Sequence, residues 1–235
     1  MKNEIVQEFN LLNPWFDNLP YNWEELFQHS DVLSYKKHET IFRQNEQGNH
    51  LYLIESGRVR LYLISPNGEE KALSIIGKNG ILGECALNNE SRYATNAISA
   101  SKVVLRRITK QSFIEFLAKK PEFVYQTLDL ITKKYRLLCS QSLQASYMKA
   151  LPRVCAAFIQ LSVKYGELLE ENKVNLTISF THQEMANLLG TTRVTVANNI
   201  KWLEERSYIS KVGKSYVIHD LDELAELAND QMLLS

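Results

Sequence analysis

The stretch Thr181–Arg206, THQEMANLLGTTRVTVANNIKWLEER, decides how this chain is read. Thr181 stands at a helix start, and Glu184 three residues on completes a capping box: hydroxyl and carboxylate each satisfy a backbone N–H that the helix cannot. Met185, Ala186 and Leu189 form an apolar face. Gly190 supplies the backbone freedom for a sharp turn. Thr192 caps a second helix, whose inward residues are Val196, Ile200 and Leu203. Small Ala186, the glycine four residues later and Val196 six beyond it let two helices cross closely. This spacing predicts a helix-turn-helix whose second helix enters the major groove of double-stranded DNA. For this segment alone, an ordinary helical hairpin is the alternative.

The residues that follow favour DNA. Tyr208-Ile209-Ser210, a Lys211-Val212-Gly213-Lys214 turn and Ser215-Tyr216-Val217-Ile218 predict a two-stranded wing. Lys211 and Lys214 at its tip suit phosphates, although solvated turn lysines are common. On the second helix Arg193, Val194, Thr195 and Asn198 face outward. Arg193 suits a bidentate contact to guanine, Val194 a thymine methyl and Asn198 an adenine edge. Thr181, His182 and Lys201 suit phosphate contacts or caps. Asn199 falls where an apolar residue is usual, so it requires a buried partner or a rotated helix. From His182 to Ile218 five basic residues face three acidic ones, a modest positive excess.

Composition sets the frame. The 235 residues hold one large or two modest cores, with 45% hydrophobic and 23% charged content and no net charge. No apolar run approaches membrane-spanning length. The opening residues, MKNEIVQEFNLL, lack a signal peptide's apolar centre. Cys85, Cys139 and Cys155 are widely spaced and form neither a CxxC pair nor a zinc pattern, which fits a reducing cytoplasm.

The first half has another texture. From Val32 to Ile108 short alternating segments are punctuated by glycine and asparagine. His50–Glu55 precedes Ser56-Gly57, and in the next segment Val59, Leu61 and Leu63 point opposite to Arg58, Arg60 and Tyr62. Pro66-Asn67-Gly68 marks a hairpin, Glu70–Ile76 the return strand, and Asn96–Ile108 one last long strand. Strands at this spacing predict a small antiparallel barrel or jelly roll. A lead-in with a short helix around Trp23–His29 precedes it. Thr109–Leu117 reads as a short helix stopped by Pro121, and a long helix follows from about Glu122 to about Met148. On it Val124, Leu128, Ile131, Tyr135, Leu138, Ser142 and Ala145 recur at steps of four and three, a coiled-coil seam. Leu130 and Leu137 lie on another face and suit packing on the chain's own barrel. The expected divisions are 1–120 (lead-in and barrel), 121–149 (dimerisation helix) and 150–235 (winged helix-turn-helix), an α+β chain.

In this order the parts resemble the Crp/Fnr transcription regulators, over roughly Val32–Leu227. Gly57, Gly68, the Gly83-Glu84 pair, the helix-turn-helix and the ending Val217–Leu224 carry the resemblance. It implies a β-roll of the cyclic-nucleotide-binding type and a parallel homodimer along the long helix. It also implies a roughly palindromic promoter site, contact with RNA polymerase, and a small-molecule effector that favours one of two dimer states.

The resemblance also implies where an effector binds. In cyclic-nucleotide binders a Gly-Glu pair and a later arginine hold ribose and phosphate. Gly83, Glu84 and Arg92 match them, and backbone amides near Gly83 and Cys85 suit an anion. Three features depart: a shorter loop from Glu84 to Arg92, Tyr93 in place of a small hydroxyl residue, and Leu138-Cys139 where Thr-Ser meets adenine. A bland reading pairs Glu84 with Arg92. A cyclic nucleotide and an apolar or aromatic ligand therefore both stay open, and no cofactor is assigned. An iron–sulfur cluster requires four cysteines and is excluded, and scattered His29, His38 and His50 give no metal or haem site. Two other classes remain as alternatives: a ligand-binding or scaffolding dimer without DNA binding, and a cupin-like enzyme. The enzyme requires a histidine–carboxylate cluster that the sequence lacks.

Overall fold

The computed structural model describes residues 13–170 and 172–229. The reading of the opening residues MKNEIVQEFNLL falls outside them. The chain divides into two compact units, one spanning Pro14–Tyr135 and the other built mainly from Arg136 onward.

The first unit is a β-roll. It runs β1 (Trp15–Phe16), α1 (Glu24–Phe27), β2 (Asp31–Tyr35), β3 (Thr40–Phe42), β4 (His50–Ser56), β5 (Val59–Ile64), β6 (Glu70–Ile76), β7 (Ile81–Leu82), a 3-10 turn (Glu84–Leu87), β8 (Asn96–Ser99) and β9 (Val103–Thr109). One sheet has the order β1-β6-β5-β8-β3 and the other β2-β9-β4-β7. Period-two alternation makes the core. Val59 and Leu61 of β5 are buried, as are Ala72, Ser74 and Ile76 on β6. The antiparallel register Val59↔Ile76 and Leu61↔Ser74 shifts after Leu61. That irregularity leaves Leu63 only half-buried, against the simple alternation.

The stretch expected as one long strand is two. β8 pairs with β5 in the first sheet and β9 with β4 in the second. The chain changes sheets at Ala100–Lys102, where Ala100 donates its N–H to the Arg58 carbonyl at 2.8 Å and Arg58 its N–H to Ser101 Oγ at 3.0 Å. The lead-in is also more than a short helix. β1 adds in parallel to β6, Trp23 is buried with Nε1 donating to the Asn79 carbonyl at 2.7 Å, and Tyr21 donates to Asp129 at 2.7 Å.

Two helices follow: α2 (Lys110–Lys119), capped by Thr109, and α3 (Pro121–Tyr147). Pro121 does not merely stop α2. It opens α3, where its missing N–H costs nothing. On α3 Phe123, Thr127, Leu130 and Leu137 are buried, and Phe123 packs on Phe116 and Trp23 with ring centroids 4.8 and 5.6 Å apart. Leu128, Ile131, Tyr135 and Leu138 lie exposed on another face, with Leu128 54% and Tyr135 67% accessible; Ser142 is exposed and Val124 half-buried.

In the second unit α4 (Ala150–Tyr165) is buried without a break from Val154 to Ser162. It leads into β10 (Gly166–Glu170) and β11 (Lys173–Leu176), then α5 (His182–Leu189), α6 (Arg193–Glu205), β12 (Ile209–Val212), β13 (Ser215–Ile218) and α7 (Leu221–Asn229). The wing hairpin β12–β13 belongs to a four-stranded sheet of order β10-β11-β13-β12.

Gly57 turns β4 into β5 at φ +82°, and a Cβ there would come within 2.2 Å of the Lys102 carbonyl oxygen. Positive φ and this clash act together, so Gly57→Ala is expected to destabilise the β-roll by about 2–4 kcal/mol, read by denaturant unfolding. A change below about 0.5 kcal/mol would show that the turn relaxes freely.

Candidate nucleic-acid interface and effector site

The helix-turn-helix forms from local chemistry. Thr181 Oγ1 accepts the N–H of Glu184 at 3.1 Å, and the Glu184 carboxylate accepts the N–H of Thr181 at 2.7 Å, so the capping box is closed. Gly190 ends α5 in the left-handed conformation at φ 64°, and Thr192 caps α6 through the N–H of Thr195 at 3.0 Å. Met185 and Ala186 are buried as expected, but Leu188 is buried more fully than Leu189. Val196, Ile200 and Leu203 fill the inner side of α6. Asn199 resolves its own conflict by donating Nδ2 to the Thr195 carbonyl at 2.8 Å, one turn back on the same helix.

Arg193, Val194 and Asn198 project from α6 into solvent, Val194 at 68% exposure. Thr195 is half-buried, with its hydroxyl 2.8 Å from that of Thr192. Lys201 pairs with Glu205 at 3.6 Å on the exposed helix surface, and Lys211 and Lys214 are exposed on the wing. Gly213 supplies the positive φ, 61°, that the hairpin turn requires. His182 Nε2 lies 3.4 Å from the Tyr216 hydroxyl. Tyr216 stacks on Phe180, centroids 5.4 Å apart, and meets Phe158 of α4 edge-on at 5.3 Å. One aromatic cluster therefore joins the wing, the start of α5 and α4. Spacing along the chain gave no sign of it.

In the β-roll the effector candidates separate. Gly83 takes φ +82°, and a Cβ there would lie 3.0 Å from the Tyr93 ring. Tyr93 is buried, stacks on Phe42 at 4.0 Å and donates its hydroxyl to the His50 carbonyl at 2.9 Å. Burial raises its pKa, so the phenol stays protonated. Cys85 Sγ accepts the Ala94 N–H at 3.3 Å, and burial raises its thiol pKa. Gly83, Cys85 and Tyr93 thus converge. Glu84 and Arg92 do not pair with each other. Arg92 is exposed and donates to the Asn45 carbonyl at 2.7 Å. Glu84 is bound by Lys134 of α3 at 2.7 Å, and Lys134 also donates to the Ile81 carbonyl at 2.8 Å. Both side chains are nearly buried, at 13% and 12% exposure, and Glu84 Oε2 has no hydrogen-bond partner among the described residues. Lys134 lies fifty positions from its carboxylate, so no sequence pattern links them. Leu138 and Cys139, both exposed, belong to the other compact unit. Among the described residues no helix is long and apolar enough to cross a membrane, and no group of His, Cys, Asp and Glu is placed to hold a metal.

A β-roll followed by a long helix and a winged helix-turn-helix defines a class: DNA-binding regulators that respond to an effector. Comparison with known proteins agrees. Residues 32–120 match the cyclic nucleotide-binding domain family, and residues 152–227 the Crp-like helix-turn-helix domain family. The CRP-like cAMP-activated global transcriptional regulator of Mycobacterium tuberculosis is 26% identical over 83% of this chain and 87% of its own. Among solved structures, a CooA mutant from Carboxydothermus hydrogenoformans shares the fold with a TM-score of 0.76, at 19% identity over 90% of this chain and 92% of that one. A transcriptional regulator of the CRP/FNR family from Thermus thermophilus gives 0.64, at 25% identity over 86% of this chain and 100% of that one. The chain belongs to the Crp/Fnr family of effector-responsive, DNA-binding transcription regulators. The proteins it resembles are regulators rather than enzymes.

Breaking a nearly buried ion pair leaves a charge that water cannot reach. Lys134→Met is expected to destabilise the β-roll by about 3 kcal/mol, and adding Glu84→Gln to restore most of that. Denaturant unfolding of Lys134→Met, Glu84→Gln and the double variant checks it; additive losses would mean that the two groups do not interact.

Proposed function

We propose that this protein acts as a homodimer on an inverted-repeat promoter site, with the exposed face of α3 as its dimer seam. The carrying observation is the stripe of Leu128, Ile131, Tyr135 and Leu138, with Ser142 and half-buried Val124 continuing it. An apolar stripe of this length on a solvent-facing helix favours a second copy in parallel. Two α6 helices related by a two-fold axis then read two half-sites about one DNA turn apart. Arg193, Val194 and Asn198 are the base readers, with Thr195 beside them. His182, Lys201, Lys211 and Lys214 contact phosphate, and Thr181, whose side chain closes the capping box, serves as a cap. The dimer works in the cytoplasm by recruiting or obstructing RNA polymerase. Residues 1–120, 121–149 and 150–235 divide the labour into sensing, dimerisation and DNA reading.

The half-site is expected to be richer in A·T than the TGTGA or TTGAT boxes common in the family, because Val194 and Asn198 suit thymine and adenine. In-vitro selection with the purified protein should return such a half-site twice, inverted. An unaltered TGTGA box would sink the assigned base contacts, and a single unrepeated half-site would sink the dimer.

The segment Gly83–Cys85 with Tyr93 is the effector-sensing end of the roll. Leu138 and Cys139 keep an effector-facing role on the family resemblance alone. Glu84 is already engaged by Lys134, and exposed Arg92 by the Asn45 carbonyl, which favours an effector other than a cyclic nucleotide. Calorimetry with cyclic AMP is therefore expected to give no saturable heat at millimolar ligand. Saturable binding that Arg92→Ala abolishes would instead make Glu84 and Arg92 a nucleotide site.

A further inference from the structure

One charged side chain of α4 reaches into the helix-turn-helix. Arg153 donates Nη1 to the carbonyl of Leu189 at 2.7 Å, and its Nε makes a long bond of 3.4 Å to the Lys149 carbonyl. Leu189 is the last residue of α5, and the closing carbonyls of a helix have no partner inside it. The turn that follows does not help this one. Gly190 and Thr191 both donate their N–H groups to the Ala186 carbonyl. The Leu189 carbonyl is therefore met by a guanidinium from another helix, which also sits at the negative end of the α5 dipole. Three residues later Thr192 caps α6. Burial lowers the Arg153 pKa, and among the described residues no carboxylate opposes that shift. A partly buried cation held by carbonyls rather than by an anion is an expensive way to secure a helix end.

We propose that Arg153 is a positioning residue for DNA reading. It pins the end of α5 to α4, fixes the turn between α5 and α6, and so sets the direction in which Arg193, Val194 and Asn198 project. The inference rests on the DNA-reading assignment made above. Met185 and Ala186 on α5 and Val196 and Ile200 on α6 are buried apolar residues, so the helices keep an apolar core without the guanidinium. Base-edge hydrogen bonds depend on where a donor lies, whereas attraction to phosphates is far more tolerant. Loss of the pin therefore lowers discrimination more than general affinity.

The test uses the full chain and two duplexes, the one recovered by in-vitro selection with the unaltered protein and a scrambled version of it. Affinities are measured by fluorescence anisotropy across a salt series, with thermal melting of each variant as the control for folding. Arg153→Met, which keeps the stem but loses the donors, should bind the selected duplex about tenfold more weakly. Its affinity for the scrambled duplex and its salt dependence should not change. Arg153→Lys, which keeps the charge and can reach one carbonyl, should recover part of the loss. If Arg153→Met melts below the assay temperature, Arg153→Lys is read instead, with a smaller fall in the same ratio expected. An unchanged ratio between the duplexes overturns the proposal. So does an equal loss on both duplexes with a salt slope shallower by about one, because that is the mark of a phosphate contact. Failure of the unaltered protein to enrich any duplex would instead overturn the DNA-reading assignment, and this inference with it.

Discussion

A helix of twenty-seven residues with two apolar faces governs this molecule. Along α3, Phe123, Thr127, Leu130 and Leu137 are buried, while Leu128, Ile131, Tyr135 and Leu138 face water. Steps of three and four on a period of 3.6 keep each set on its own side, so the helix cannot rotate to hide one set without exposing the other. Most of its stability comes from packing of an apolar face rather than from helix propensity. Packing of Phe123 on Phe116 and Trp23 anchors its first half, and Asp129 and Lys134 tie it to Tyr21 and Glu84. The lead-in matters for the same reason: Trp23 and Tyr21 are part of the seat of α3.

In the β-roll, tertiary partners decide what the side chains of a sequence motif are free to do. By sequence resemblance alone, Gly83-Glu84 and Arg92 match the residues with which nucleotide binders of the family hold ribose and phosphate. Here Glu84 meets a lysine from α3, Arg92 meets a backbone carbonyl, and Tyr93 is buried against Phe42. A carboxylate already neutralised by an ammonium at 2.7 Å offers a hydroxyl ligand only its second oxygen. Burial sets the thiols apart as well. Cys155 is buried and its pKa is pushed up to about 12, so it stays protonated at neutral pH and is chemically inert.

Much of the DNA-reading element was legible in the sequence because its determinants are local. The capping box of Thr181 and Glu184, the left-handed Gly190, the Thr192 cap and the steps between Val196, Ile200 and Leu203 each span no more than four residues. Hairpin turns at Gly68 and Gly213 were legible for the same reason. Where distant backbone decided, the sequence misled. Asn96–Ile108 alternates like one strand, but the chain has to cross from one sheet to the other beside the Gly57 turn, and it breaks into β8 and β9. Pro121 was legible as a boundary, although the same residue both ends one helix and opens the next.

The sequence by itself determined the order of the parts: a roll of short alternating strands, a long two-faced helix and a capped helix pair with a wing. Each follows from periodicity and capping, which depend on neighbours along the chain. Only the tertiary structure decided which partners the polar groups take. Lys134 rather than Arg92 holds Glu84, Tyr216 gathers Phe180 and Phe158, and Arg153 reaches the end of α5. The reason is physical. A buried charge or an open helix end takes whichever partner the packed chain brings within about 3 Å, at a separation along the chain that no local pattern records.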